Sequence, residues 1–185
     1  IGQGEEVTII DAEQTDRVIT MEYCENNVIS DLTITGGIID EDFNNNGGGI
    51  YIQSSNPILE NVNINENIAN NWGGGIYLKH ANPHLINVNI IANASISGGG
   101  IYSFLDSEPI FNNVNIIQNT AIYDGGGIKI NWAGAIFTNV NINNNSAGTK
   151  GGGIYIDQYS TNLLTNVNIN DNIAGIKGGG IYFHN

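Results

Sequence analysis

Residues 61–77 read NVNINENIANNWGGGIY. The same phrase returns, with small changes, from Asn87, Asn113, Asn139 and Asn166. Working outward from it, a Gly-Gly-Gly triplet begins at Gly47, Gly73, Gly98, Gly125, Gly151 and Gly178, at intervals of 26, 25, 27, 26 and 27 residues. Each triplet is followed by Ile and, in all but one copy, then by Tyr; Lys129 is the exception. A period near 26 residues is the mark of a stacked repeat rather than of an ordinary globular domain. Within each copy, Ile50-Tyr51-Ile52 and Val62-Asn63-Ile64 alternate apolar with other residues, the period-two pattern of a strand with one buried face. No stretch carries a helical period, and Asn and Gly at this density oppose helix.

Such a unit has one economical arrangement. The chain coils, and each coil lies on the one before as parallel strands ~4.8 Å apart. Every Ile in a column then stacks on the Ile above and below, and each buried side chain contributes ~1.5–3 kcal/mol before entropy is subtracted. The chain is expected to be all-β, a parallel β-helix of about six turns with ~26 residues per turn. It is one domain, 1–185, with divergent opening turns over 1–46 and regular repeats over 47–185. The column Asn67, Asn93, Asn119, Asn145 and Asn172 reads as a buried amide ladder in which each side chain donates to one turn and accepts from another. Asn also tolerates the left-handed backbone expected at that corner.

Composition narrows the function. The 185 residues include 32 Asn, 33 Ile and 25 Gly, and charged residues are only 12%. Five Lys and Arg stand against 18 Asp and Glu, a formal charge of −13. Phosphate backbones are repelled by such a chain, so nucleic acid is a poor partner. No run reaches the ~18 apolar residues of a membrane span, and no basic and apolar leader opens the sequence. Cys24 is alone, which excludes an internal disulfide and a paired-cysteine metal motif. No capping element is visible at either end. The expectation is a piece of a longer solenoid, or head-to-tail stacking on a second copy.

These motifs resemble those of the pectin-lyase-like superfamily of right-handed parallel β-helices. The nearest likeness is to bacterial secreted and surface proteins whose repeats combine Asn-Val-Thr-Ile, Asn-x-Ala and Gly-Gly-Gly-Ile-Tyr. Asn67-Ile68-Ala69, Asn119-Thr120-Ala121, Asn145-Ser146-Ala147 and Asn172-Ile173-Ala174 carry the middle element; Asn93-Ala94-Ser95 departs from it. The resemblance implies an extracellular or cell-surface location and a structural or adhesion role. Some relatives instead cleave acidic polysaccharides, so a polysaccharide lyase or glycoside hydrolase is the alternative.

Function in a solenoid sits in the columns that vary. Just after the Gly-Gly-Gly-Ile-Tyr strand, Lys79, His80, Phe104, Asp106, Trp132, Asp157, Tyr159 and His184 mix rings, imidazoles and carboxylates. They read either as a shallow strip for a polysaccharide or another cell-surface partner, where rings stack on sugar faces, or as a variable solvent corner. Alternation turns the column Tyr51, Tyr77, Tyr102, Tyr155 and Tyr182 outward, with Lys129 able to lie against a ring. For a lyase, Lys79 and Lys129 stand two turns apart, ~10 Å, too far for coupling. Asp106 and Asp157 are at the edge of the inverting hydrolase range of ~6.5–9.5 Å. His84, in a column of Ile and Leu, reads as a spacer. No cofactor is required by these residues, although Asp40-Glu41-Asp42 offers hard oxygen ligands suited to Ca²⁺, or simply a solvated acidic loop. Eleven of the 18 carboxylates precede residue 43.

Overall fold

The computed structural model describes residues 2–39, 45–157 and 159–184. Among them there is no helix; three parallel sheets stack about six coils. The seven-stranded long-strand sheet takes Ile9–Asp11, Val28–Thr35, Ile58–Asn65, His84–Ile91, Ile110–Ile117, Ala135–Asn143 and Asn162–Asn170. A six-stranded sheet of short strands takes Ile38–Ile39, Ile68–Trp72, Ala94–Ser97, Thr120–Ala121, Ser146–Ala147 and Ile173–Ala174. The seven-stranded tyrosine sheet takes Ile19–Glu22, Ile50–Gln53, Ile76–Lys79, Ile101–Phe104, Ile128–Asn131, Ile154–Ile156 and Ile181–Phe183.

Register follows the sequence repeat. Ile50 pairs with Ile76, Ile76 with Ile101, Ile101 with Ile128, Ile128 with Ile154 and Ile154 with Ile181. Ile64, Ile90, Ile116, Ile142 and Ile169 align likewise in the long-strand sheet. These columns, with Leu59, Leu85, Phe111 and Phe137, make the dry interior. Phe111 and Phe137 stack at 4.8 Å, so even the largest core side chains repeat from coil to coil. Such alignment lets each turn bury its apolar face on the next, which no single repeat can do alone.

At the glycine triplets neighbouring coils leave no room for side chains. Backbone N–H groups link the triplets directly: Gly74 donates to Gly98 O, Gly99 to Gly125 O and Gly126 to Gly151 O. The first glycine of each triplet has φ between 64° and 68°, a conformation costly for other residues. The middle one is excluded from bearing a side chain by space alone. A Cβ at Gly99 would stand 2.4 Å from Gly126 O and 2.5 Å from Thr120 O.

The asparagine column forms a continuous buried chain of hydrogen bonds. Asn67, Asn93, Asn119 and Asn145 each donate through Nδ2 to the Oδ1 of the next member, at 2.9–3.0 Å. Each of these Oδ1 atoms also accepts the preceding member's backbone N–H. Nδ2 caps a core strand as well, as in the bond from Asn119 to Ile90 O. The left-handed residue expected here is displaced by one position: Glu66, Ala92, Gln118, Asn144 and Asp171, each just before a ladder Asn, have φ of 54–59°. The ladder amides are thus chosen for hydrogen bonding, not for backbone tolerance. Two further ladders run outside the core. Asn87 donates to Asn61 and Asn113 to Asn87, at left-handed backbone positions. Asn89, Asn115 and Asn141 repeat the pattern two residues on.

The tyrosine column forms the outward, stacked ladder that alternation predicts. The rings do point away from the isoleucine core, yet Tyr51, Tyr77, Tyr102 and Tyr155 are only 2–5% exposed. A second aromatic layer covers them. Tyr51 stacks on Tyr77 at 5.3 Å, Trp72 on Tyr102 at 5.0 Å, and Phe104 closes on both Trp72 and Tyr102 at 6.0 Å. Three of the five basic residues complete the cover: Arg17 lies 4.8 Å over Tyr51, Lys129 4.8 Å from Tyr155 and Lys150 4.9 Å from Tyr182. Each such contact adds about 0.5–2 kcal/mol, the upper end where water is excluded.

Burial has a consequence for alkaline stability. It holds the Tyr77 phenol far above the usual range, with Tyr51 and Tyr102 beside it acting in the same sense. Burial raises Tyr102 too, against the pull of the Asn131 amide on its hydroxyl. The folded state therefore keeps these phenols neutral while the unfolded chain ionises them near pH ~10. Their contribution to stability is full below about pH 10 and is lost as pH rises toward the folded-state values. A urea midpoint that is constant at lower pH and falls above about pH 10 is expected. A near-ultraviolet titration in which all eight tyrosines ionise together would contradict it.

Candidate ligand-binding edge

After the strands Ile50–Gln53, Ile76–Lys79, Ile101–Phe104 and Ile128–Asn131 the backbone turns through a left-handed residue, and these turns set the variable edge. Ser54, His80, Leu105 and Trp132 hold that position, with φ of 41–54°. The preceding column aligns Gln53, Lys79, Phe104 and Asn131 in register.

The eight variable residues divide among three places. Asp106, Trp132 and Tyr159 come together. The two rings meet edge to face with centroids 6.0 Å apart and stay open to solvent, Trp132 at 53% and Tyr159 at 82%. They wall a shallow cup of about 120 Å³ that Asp106, Glu108, Ala133, Gly134 and Thr161 complete. His80 reaches this rim, its Nδ1 3.7 Å from Asp106 Oδ2; Lys79 is its half-buried neighbour on the strand. Phe104 belongs instead to the cover of the tyrosine column. Asp157 and His184 pair with each other at 2.9 Å, where His184 also lies against Tyr155 and Tyr182.

Glu108, Gly134 and Thr161 went unread in the sequence, although a signal was present. They continue the corner of Asn56 and Asn82: Asn82 N–H donates to Asn56 Oδ1, and Glu108 N–H to Asn82 Oδ1. A carboxylate replaces an amide at Glu108, and at Gly134 the side chain is missing. A Cβ there would lie 2.8 Å from Thr161 O and 3.6 Å from Glu108 Cγ, so the next coil's backbone leaves no room for a side chain at this point of the cup's wall. The cup runs on into an apolar groove of about 450 Å³ floored by Ile110, Ala135, Ile136 and Leu163, with Glu108, Gly134 and Thr161 common to both.

The pairings weighed for lyase and hydrolase chemistry lie on different columns. Lys129 sits in the tyrosine column with Nζ 3.3 Å from Asp124 Oδ2, whereas Lys79 pairs with Phe104 one column further out. Asp106 and Asp157 each face a different histidine. His84 bonds through Nε2 to Asn112 at 2.8 Å. The proposed Ca²⁺ ligands Asp40, Glu41 and Asp42 lie outside the described residues. Among the described residues no three His, Cys, Asp or Glu gather as a metal group.

Two segments, 61–79 and 139–157, match the Chlamydia polymorphic membrane protein repeat. Each runs from Asn-Val-Asn-Ile through Gly-Gly-Gly-Ile-Tyr, across the ladder asparagine and the triplet that bind coil to coil. No curated protein and no solved structure matches the chain. Among the described residues no helix is long and apolar enough to cross a membrane. The comparisons thus bring in the polymorphic membrane protein repeat and not the pectin-lyase-like superfamily. In its repeat motif the chain is similar to a surface protein of that kind.

Proposed function

We propose that this chain is a non-catalytic module of a cell-surface protein, a rigid rod that presents a carbohydrate-binding edge. The observation that carries the reading is the contrast between two sets of rings. The tyrosine column is sealed by Trp72, Phe104 and cations, and so serves the fold. Trp132 and Tyr159 meet in contact yet remain open, beside hydrogen-bonding groups of Asp106, Glu108 and Thr161. Open rings flanked by polar tips suit the apolar faces and hydroxyls of a sugar. Rigidity comes from the ladders and core columns that carry the edge.

The test is a glycan array probed with the wild-type chain and with Trp132→Ala, followed by incubation of any bound polysaccharide with the protein. Binding that weakens about tenfold or more in the variant, with the polysaccharide left at its original length, is the expected result. Shortening of the polysaccharide by the wild-type chain would contradict the non-catalytic reading.

A further inference from the structure

The cup has a charge character that narrows its ligand. Two carboxylates, Asp106 and Glu108, stand at its rim, and no lysine or arginine lines it. Asp106 has 88% of its side chain open to solvent, with His80 Nδ1 3.7 Å from its carboxylate. Glu108 lines both the cup and the groove. Trp132 and Tyr159 line the same cup, and an aromatic face attracts a cation within about 6 Å. Elsewhere in the molecule, rings met by charge are met by protein cations: Arg17, Lys129 and Lys150 each occupy a tyrosine face. The Trp132–Tyr159 pair has no such partner among the cation contacts of the described residues. A formal charge of −13 adds a field of the same sign, which draws cations and repels uronates and sulfated sugars.

We infer that the cup selects sugars bearing a free primary amine, hexosamines without their N-acetyl group, with the ammonium held between the Asp106 and Glu108 carboxylates and the sugar's apolar face on Trp132 and Tyr159. This rests on the reading of the edge as a carbohydrate site. Acetylation removes the charge and keeps the ring, so paired oligomers separate the two claims.

The experiment titrates the chain with glucosamine hexamer, N-acetylglucosamine hexamer and galacturonate hexamer at fixed ionic strength. Three variants accompany it: Trp132→Ala, Asp106→Asn with Glu108→Gln, and Glu5→Gln with Glu6→Gln as a distant control. The glucosamine hexamer is expected to bind about tenfold tighter than its acetylated partner, and galacturonate weakest. The rim variant should bring the two hexosamine affinities within about twofold, while the distant control keeps the preference. Loss of both in Trp132→Ala supports stacking in the cup. Equal affinity for both hexosamines in the wild type would overturn the inference and leave the carbohydrate reading standing. A preference that survives the rim variant would overturn it too, assigning selectivity to the overall field. Failure of all three oligomers to bind would overturn the carbohydrate reading, and the inference with it.

Discussion

Replacing Gly99 by alanine is expected to cost about 4 kcal/mol or more, enough to leave no folded protein if overall stability is ordinary. The argument is steric and local. The new Cβ would lie 2.4 Å from Gly126 O, 2.5 Å from Thr120 O and 2.6 Å from Thr120 C. Those atoms are backbone on the next coil and cannot swing aside as a side-chain tip would. Relief requires parting two coils, which lengthens the bonds from Gly99 to Gly125 O and from Ile101 to Gly127 O. Overpacking a well-fitted interior commonly costs about 1–3 kcal/mol, and here the strain falls on the ladder itself. The opposite exchange is the control. Ala92 is exposed and holds φ of 56°, so Ala92→Gly should remain within about 1 kcal/mol of wild type. Urea midpoints, with far-ultraviolet spectra to report residual strand, measure both. A Gly99→Ala protein as stable as the wild type would show that the triplets do not approach as described.

Asn119→Ala is the second large effect. Asn119 is fully buried and sits mid-ladder. Its loss orphans the backbone N–H and one Nδ2 hydrogen of Asn93, which both reach Asn119 Oδ1, and strips Ile90 O of its side-chain donor. Each buried group left without a partner costs ~1–3 kcal/mol, so a total of about 3–5 kcal/mol is expected. Asn115→Ala removes amide bonds of the same kind, to Asn89 and Asn141, from a half-buried column where water can substitute. That variant should cost about 0.5–1.5 kcal/mol. The difference between the two, read at the same urea slope, isolates burial as the cause. If both variants lost the same stability, the inner ladder would have no special structural weight.

How far the sequence could be read depends on what kind of information each feature carries. Coil register was legible because it is a counting problem: six triplets and five Asn-Val-Asn-Ile segments leave one alignment in which Ile meets Ile. The direction of the tyrosines was legible too, since alternation relative to Ile50 and Ile52 decides it. Their burial was not, because period two says which way a ring points and nothing about what lies beyond it. Trp72 and Phe104 come from different columns, and Arg17 from a divergent opening turn, so no single column announces the cover. The left-handed residue before each ladder Asn was hidden for another reason. Glu66, Ala92, Gln118, Asn144 and Asp171 share no side-chain chemistry, and the strain is fixed by the coil's path.

The edge was legible only as a set of variable positions. Asp106, Trp132 and Tyr159 stood out as chemistry-bearing residues in neighbouring columns, yet Phe104, Asp157 and His184 stood out equally. What separates them is position: the first three border the cup, and the others face the covered tyrosine column. A missing side chain is the weakest of sequence signals, and Gly134 is one of the residues that line the cup.

Cross-turn proton contacts test the stacking of like on like most directly. In a nuclear Overhauser experiment on protein with labelled isoleucine methyls, Ile90 should contact Ile116 and Ile116 should contact Ile142, register partners in neighbouring coils. The expected result is an unbroken series of such cross-peaks along the rod. Contacts confined to single repeats, or a series displaced by one residue so that Ile116 meets Asn141 or Asn143, would contradict the account.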